Sequence, residues 1–308
     1  MEKNIVKDVE QNTTEINEQT SADNDAKLNL PATNIQWEQR QELNKLNVAS
    51  HWFFFWRLLK KAKKINRKMK QDAGYYSEQY RYTWLRKKAI KMLKIVKVKA
   101  NVINVENWLD RGCILAGNHQ SNVDPLLIYA INDFQKQQPV AFIAKKELWD
   151  SSLSARFVNI IDVVPLDREN PRSALAAVKE AKELITKYKR SFTIFPEGTR
   201  SKSQEMIPFL DASLKIAQMA YAPIIPFAII DSYKTTMKKR PKKITVTVVF
   251  GKPIMPDTFM HIKAEKLASN VQKEVQKLIN KYQNWNPEKL GLKPESKKDR
   301  CKFYKVEK

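Results

Sequence analysis

Short apolar runs alternate with amphipathic stretches along the chain from about residue 94 onward. The runs have the length of buried strands, while the stretches between them place apolar residues at helical spacing. Asn170 followed by Pro171 marks the start of one helix, because asparagine caps helix N-termini and proline fits the first turn. Strands that alternate with helices predict an α/β fold, with a mixed, partly parallel sheet flanked by helices. The predicted strands are Cys113–Gly117, Val140–Ala144, Asn159–Pro165, Phe192–Phe195, Ile224–Ile230 and Ile244–Phe250.

A different pattern occupies residues 51–93, where an amphipathic helix is predicted to open with the aromatic run Trp52–Trp56. Eight basic residues within positions 57–70 occupy one side of this helix. Such a helix is typical of segments that lie in a lipid headgroup layer, so we expect its apolar side to insert into an anionic membrane. The alternative is that this side packs on the protein's own core. The apolar side chains form an arc of roughly 120° and are Phe55, Leu58, Leu59, Ala62, Ile65 and Met69.

Charge divides the chain further. The formal net charge is +23, yet the first 50 residues hold nine acidic and only five basic side chains. That segment has few large apolar residues, so residues 1–50 are predicted to form an acidic, disordered tail. Residues 286–308 are rich in lysine and are predicted to form a basic C-terminal tail, which leaves 94–285 as the main folded domain. Net charge alone would also suit a non-catalytic protein that coats a membrane or a nucleic acid.

The scarcity of some residue types excludes several kinds of site. The six glycines never have the spacing of a dinucleotide-binding loop, a P-loop or a nucleophile elbow. The two cysteines are far apart, which argues against a disulfide scaffold and favours a reducing compartment. The three histidines are scattered, so no metal site is expected. The longest apolar stretches fall short of the ~18–20 residues that span a bilayer, so no membrane-spanning segment is expected.

The segment Asn118–Asp124 follows a predicted buried strand directly. His119 is a candidate general base, because the pKa of an unperturbed imidazole lies near neutrality. Asp124 could orient the ring only if the intervening residues form a turn, since five positions along a continuous helix would separate the two side chains by about 140°. The alternative is that Asp124 merely caps a helix beginning at Pro125, while His119 is a passive loop residue.

A second polar segment, Phe195–Ser201, follows another short strand. It offers the carboxyl group of Glu197, a glycine at position 198 that lets the backbone approach a ligand, and Arg200, whose guanidinium can grip a phosphate in a bidentate fork. The alternative is an ordinary turn rich in proline and glycine. The position of Phe195–Ser201 at a strand end favours the first interpretation, a binding site at the edge of the sheet.

Together these segments resemble the glycerolipid acyltransferase family. The chain departs from the family where a lysine and a glycine usually follow the second motif, since it reads Phe209-Leu210-Asp211-Ala212 there. The resemblance covers residues 94–252 and marks 94–285 as an acyltransferase domain. It rests on motifs in the family's order and approximate spacing, which are Asn118–Asp124, Ala144–Leu148, Arg168, Phe195–Ser201 and Pro223–Pro226.

The resemblance implies transfer of a fatty acyl chain from a thioester donor to the free hydroxyl of lysophosphatidic acid, which gives phosphatidic acid. His119 and Asp124 would be the catalytic pair: the histidine deprotonates the hydroxyl, and the aspartate holds its tautomer and stabilises the imidazolium. Acyl-carrier protein or acyl-coenzyme A would be the co-substrate, with no bound cofactor and no metal. Glycerol-3-phosphate or another lysophospholipid is the alternative acceptor. The implied substrate-binding residues are Arg168, Glu197, Gly198, Thr199 and Arg200.

The same resemblance, together with the basic helix, predicts a peripheral enzyme on the cytoplasmic face of the cell membrane. Its expected partners are the membrane surface, anionic phospholipid and, as one candidate donor, acyl-carrier protein. No specific nucleic acid is expected as a partner.

Overall fold

The computed structural model describes residues 51–134, 138–152, 154–167 and 170–306. The predicted acidic tail over residues 1–50 and the predicted site residue Arg168 lie outside these ranges. The helices are α1 (Trp52–Gln71), α2 (Glu78–Ile95), α3 (Asp124–Ile131), α4 (Glu147–Asp150), α5 (Ala155–Val158), α6 (Pro171–Thr186), α7 (Lys215–Ala220) and α8 (Ala264–Tyr282). The strands are β1 (Val98–Ile103), β2 (Cys113–Gly117), β3 (Val140–Lys145), β4 (Val163–Leu166), β5 (Ser191–Ile194), β6 (Ile224–Ile230), β7 (Ile244–Phe250), β8 (Ser296–Lys298) and β9 (Cys301–Tyr304).

The nine strands of the described residues form one sheet in the order β4-β3-β5-β2-β6-β7-β1-β9-β8. Strands β4, β3, β5, β2 and β6 run parallel to one another. The direction reverses between β6 and β7, and β7, β1 and β9 are again mutually parallel. The predicted mixed, partly parallel α/β sheet is therefore confirmed. Within its larger parallel half, β2 lies between β5 and β6.

Helices cover both faces of this sheet, as parallel strands require. Successive residues of a strand point to opposite faces, and β2 illustrates this, since Leu115 belongs to one apolar cluster while Ile114 and Ala116 belong to the other. The first cluster includes residues of α1, α2 and α3, and the second includes residues of α6, α7 and α8. The sheet is thus the middle layer of three.

Helix α1 departs from the expected membrane insertion of its apolar arc. Leu58, Ala62 and Ile65 are buried, and Ala62 and Ile65 belong to the first core cluster. The side-chain amide of Asn66 donates to the backbone oxygen of Arg156 in α5 at 2.7 Å, which ties the helix to the domain. The prediction that this arc inserts into lipid was therefore wrong at its centre, because internal packing already buries it. In the described parts of the chain, no helix combines the length and apolarity that crossing a bilayer requires.

The C-terminal region also differs from the sequence prediction. Within the segment expected to be a basic tail, β9 pairs in parallel with β1, and β8 pairs with β9 in antiparallel fashion. Cys301 and Tyr304 are buried by this pairing, while the lysines of β8 remain exposed. Strand pairing uses backbone groups, so a lysine-rich stretch can join a sheet edge when its charged side chains reach water. The folded domain therefore continues beyond residue 285.

Candidate active site

The two polar segments singled out in the sequence meet at one edge of the sheet. Strands β2 and β5 are parallel neighbours with Ala116 opposite Ile194, so the segments that follow them leave the sheet side by side. Two hydrogen bonds join these segments. The His119 N–H donates to Oε1 of Glu197 at 2.8 Å, and the Ser201 N–H donates to the backbone oxygen of His119 at 2.8 Å.

His119 and Asp124 form a hydrogen-bonded pair. Nδ1 of the imidazole lies 2.8 Å from Oδ2 of Asp124, whose side chain is fully buried. The intervening residues form the turn that the pairing requires, and α3 begins at Asp124 with Pro125 in its first turn. Since a carboxylate accepts hydrogen bonds, the pairing places the imidazole proton on Nδ1 and leaves Nε2 as a proton acceptor. The arrangement is that of a general base with an orienting acid.

The ring of His119 is held on its face as well as at its edge. It stacks on Phe195 with ring centroids 4.1 Å apart and an interplanar angle of 17°. Phe195 in turn packs edge-on against Phe227 of β6. Gly117 permits this packing, because a Cβ at that position would lie 2.5 Å from the Phe227 ring. With 17% of its side chain exposed, His119 is largely buried yet reachable by a substrate.

Glu197 is a buried residue that joins the two loops of the site by hydrogen bonds. It is only 3% exposed, and its two carboxylate oxygens accept hydrogen bonds from the backbone N–H groups of His119 and Ile207, at 2.8 and 3.1 Å. Burial raises its pKa to about 7, and the nearby charge of Asp124 acts in the same direction. Each oxygen therefore has a partner inside the protein, and the predicted contact between this side chain and a substrate stays a prediction. Gly198 adopts a left-handed conformation, φ +69°, which suits glycine and turns the chain back toward the surface.

Arg200 lies beside the pair. Its guanidinium donates to the side-chain oxygen of Asn122, which belongs to the loop between His119 and Asp124. The partly exposed cation of Arg200 is thus attached to the loop that carries the candidate base. Thr199 is exposed on the same turn. Arg168 lies outside the described residues, so its role stays a prediction.

Sequence reasoning gave no role to several residues that hold this loop. Asn118 exchanges two hydrogen bonds with the backbone of Ile229 in β6, at 2.7 and 2.8 Å. The Ser121 hydroxyl lies 3.0 Å from Oδ1 of Asp124, and the Ser232 hydroxyl lies 2.6 Å from the same oxygen. Ser121 and Asn118 stood inside a recognised motif, but Ser232 had no signal beyond its place after a strand. Among the described residues, no group of three acidic, histidine or cysteine side chains could hold a metal ion.

Comparison with known proteins gives the site its context. A model of the family described as Acyltransferase matches residues 99–230, which span both motifs. A probable 1-acyl-sn-glycerol-3-phosphate acyltransferase from Mycoplasma pneumoniae is 34% identical over 200 residues, covering 62% of this chain and 74% of that protein. The chain belongs to the acyltransferase family. The family resemblance inferred from the motifs is thereby confirmed, and the chain is an enzyme of this class.

Two further relatives extend the comparison. A 1-acyl-sn-glycerol-3-phosphate acyltransferase from Bacillus subtilis is 28% identical over 198 residues, covering 64% of this chain and 94% of that protein. Among solved structures, the 1-acyl-sn-glycerophosphate (LPA) acyltransferase PlsC from Thermotoga maritima matches with a TM-score of 0.58 and 23% identity. That match covers 78% of this chain and 93% of the other. It supports the fold described above.

The raised pKa of Glu197 predicts a specific pH dependence of stability. The folded-state pKa of about 7 exceeds the ordinary value of 4.5, so the folded protein binds this proton more tightly than the unfolded chain does. The associated stability is fully present below pH 4.5 and is lost as the pH rises through 7, by about 3 kcal/mol in total. We expect Glu197→Gln to remove this loss, measured as the free energy of unfolding in urea between pH 4.5 and 8.

The matched control is Glu205→Gln, which changes an exposed glutamate of the same loop and should keep the wild-type pH slope. Parallel slopes for wild type and Glu197→Gln would mean that burial does not perturb this carboxyl group.

Proposed function

We propose that this enzyme transfers a fatty acyl group from a thioester donor to the free hydroxyl of a 1-acylglycerol-3-phosphate, giving phosphatidic acid. The observation that carries the proposal is the 2.8 Å contact between His119 and Asp124, with Arg200 hydrogen-bonded to Asn122 of the loop that joins them. The names of the Mycoplasma and Bacillus relatives, both 1-acyl-sn-glycerol-3-phosphate acyltransferases, support the same acceptor. A non-catalytic coat protein would have no need of this buried, hydrogen-bonded pair.

The proposed reaction uses His119 as a general base. Nε2 takes the proton of the acceptor hydroxyl while the oxygen attacks the thioester carbonyl carbon. The tetrahedral oxyanion collapses, the carbon–sulfur bond breaks, and the departing thiolate receives the proton from the imidazolium. Asp124 keeps Nε2 free to accept and stabilises the cation that forms, which is the role of the acid in other histidine–carboxylate pairs. No covalent acyl-enzyme is needed.

Arg200 is the proposed ligand of the acceptor phosphate. Its guanidinium offers several donors in a plane, which suits phosphate oxygens, and its bond to Asn122 keeps it beside the base. Arg168 is proposed as a second phosphate ligand on the strength of the motif alone. Glycerol-3-phosphate or another lysophospholipid is the alternative acceptor, and acyl-carrier protein and acyl-coenzyme A are both proposed as donors.

We also propose that the enzyme works as a peripheral protein on the cytoplasmic face of the membrane. The centre of the apolar arc of α1 is buried, but Trp52, Phe53 and Trp56 at the start of the helix are 65%, 59% and 40% exposed. Lys60 lies 3.8 Å above the Trp56 ring and Arg57 lies near Phe53, so cations surround these aromatic rings. Aromatic rings beside basic residues suit the headgroup region of an anionic bilayer. Two free, buried cysteines fit a reducing compartment.

The first prediction from the proposed function tests the chemistry. Replacing His119 with alanine should lower kcat by at least roughly 100-fold, the lower end for loss of a general base. The assay follows acyl transfer to a panel of lysophospholipids and to glycerol-3-phosphate, with each donor in turn. His261→Ala is the matched control, because this histidine is exposed and distant in sequence from the site. A folded His119→Ala variant with near wild-type turnover would exclude the mechanism. If the wild type prefers another acceptor in the panel, that acceptor replaces 1-acylglycerol-3-phosphate as the proposed substrate.

A second prediction concerns the phosphate. Arg200→Ala should raise KM for the phosphorylated acceptor by roughly tenfold, while Arg200→Lys should recover only part of the loss, because an ammonium cannot form the bidentate fork. Arg172→Ala removes an exposed arginine at the start of α6 and should leave KM unchanged. Unchanged acceptor KM in both Arg200 variants would mean that the phosphate binds elsewhere.

A third prediction concerns the membrane. Deleting α1 would expose the core, so the test substitutes its surface instead. The combined variant Trp52→Ser, Phe53→Ser and Trp56→Ser should show less sedimentation with anionic vesicles and less activity on vesicle-embedded acceptor. Its activity on detergent-dispersed acceptor should be unchanged. High salt should weaken binding of the wild type without abolishing it, since salt screens the charges but not apolar insertion. Leu290→Ser with Leu292→Ser, which also removes exposed apolar side chains, is the control. Equal sedimentation of all three proteins would place the membrane contact elsewhere.

A further inference from the structure

A short turn follows β6 and reaches back to the candidate catalytic pair. Ser232 begins this turn, which covers Ser232–Thr236, and the side chain of Ser232 is fully buried. Its backbone N–H donates to Oε1 of Gln120 at 3.0 Å, and its hydroxyl lies 2.6 Å from Oδ1 of Asp124. The turn is therefore attached to the loop between His119 and Asp124 at two points.

The contacts of Asp124 divide between its two oxygens. Oδ2 accepts from the backbone N–H groups of Gln120 and Ser121, at 2.7 and 2.8 Å, and faces Nδ1 of His119. These donors belong to the same loop and move with it. Oδ1 has two partners, the hydroxyls of Ser121 and Ser232. Of the partners found among the described residues, Ser232 alone comes from another part of the chain, 108 positions away.

Proton accounting supports donation from Ser232 to Asp124. A serine hydroxyl has one proton, and the oxygens within reach are Oδ1 of Asp124 at 2.6 Å, Oγ of Ser121 at 3.2 Å and Oε1 of Gln120 at 3.3 Å. The shortest contact is to the carboxylate, and hydrogen bonds to an ionised acceptor are the shorter and stronger kind. Gln120 already accepts from the backbone N–H of Ser232, so its oxygen does not depend on the hydroxyl.

We infer that Ser232 is a positioning residue for acyl transfer, which sets the orientation of the Asp124 carboxylate and thereby of the His119 ring. The inference rests on the proposed function only in taking His119 as the base. Without the Ser232 hydroxyl, Oδ1 of Asp124 loses one of its two donors. Only residues of the loop from His119 to Asp124 then orient the carboxylate. The negative charge then remains more concentrated on the carboxylate, which favours the imidazolium form of His119.

The test uses the full chain with Ser232→Ala and Ser232→Cys, since a thiol keeps a proton but donates it weakly. Thr235→Val is the matched control. Its hydroxyl donates to the Ser232 backbone oxygen at 2.7 Å, so this variant weakens the same turn without touching Asp124. The chain has three histidines, so the ring signals of labelled protein can be assigned by comparison with His119→Asn.

The first measurement is the pH titration of the His119 ring by NMR. We expect the titration curve of the ring to move to higher pH in Ser232→Ala, to move less in Ser232→Cys, and to stay in place in Thr235→Val. Glu197 accepts from the backbone of His119 and also titrates near neutrality. Asp124 faces the ring at Nδ1, and Arg200 reaches the loop through Asn122. These groups are common to every variant, so the comparison is between variants.

The second measurement separates kcat from KM. Ser232→Ala should lower kcat by roughly tenfold at neutral pH with KM for the acceptor changed less than twofold, while Thr235→Val should keep the wild-type values. An unchanged titration in Ser232→Ala would overturn the inference, as would an equal shift in Thr235→Val, which would indicate general loosening of the turn. If Ser232→Ala fails to fold, the same comparison is made with Ser232→Cys, and an unchanged titration in that variant would overturn the inference. A wild type inactive on 1-acylglycerol-3-phosphate would overturn the proposed function, whereas the titration would still test Ser232.

Discussion

The buried carboxylate of Asp124 requires hydrogen-bond donors, because taking an ionised group out of water is costly unless its oxygens are satisfied. Around this one group the chain arranges two backbone N–H groups, two hydroxyls and the imidazole of His119. The loop from His119 to Asp124 adopts its tight turn because that turn brings these donors to one point. The position of the candidate base is therefore a consequence of how a charge is accommodated inside the fold.

The same edge of the sheet combines contributions from three adjacent strands. The segments that follow β2, β5 and β6 supply His119, Glu197 and Ser232, respectively. Glu197 and Ser232 are both hydrogen-bonded to the loop from His119 to Asp124. Parallel strands bring such segments together because their carboxyl ends share an edge. Glu197 has a further effect, since its burial between His119 and Ile207 joins the base to the loop that follows Arg200. Strand order, rather than proximity in sequence, builds the site.

The sequence was informative where a residue type carries its own chemistry. His119, Asp124 and Arg200 could be selected because they follow predicted strands and can respectively accept a proton, orient a ring and bind phosphate. Ser232 could not, because a serine after a strand is common and its partner lies 108 positions away. The direction of the apolar arc of α1 was also beyond the sequence, since the same periodicity serves a membrane and a core. Strand β9 escaped prediction because backbone pairing with β1 leaves little trace in a lysine-rich stretch.

The stack of His119 on Phe195 has an energetic consequence for the proposed reaction. A neutral imidazole and a phenyl ring 4.1 Å apart attract each other weakly, whereas a cation over an aromatic face is also drawn to the ring's quadrupole. As the imidazole takes up the acceptor's proton, the attraction between the two rings therefore grows. An interaction that is stronger at the barrier than in the resting enzyme increases the rate rather than the affinity. Phe195 thus contributes to transition-state complementarity through a contact that is already formed before the substrate arrives.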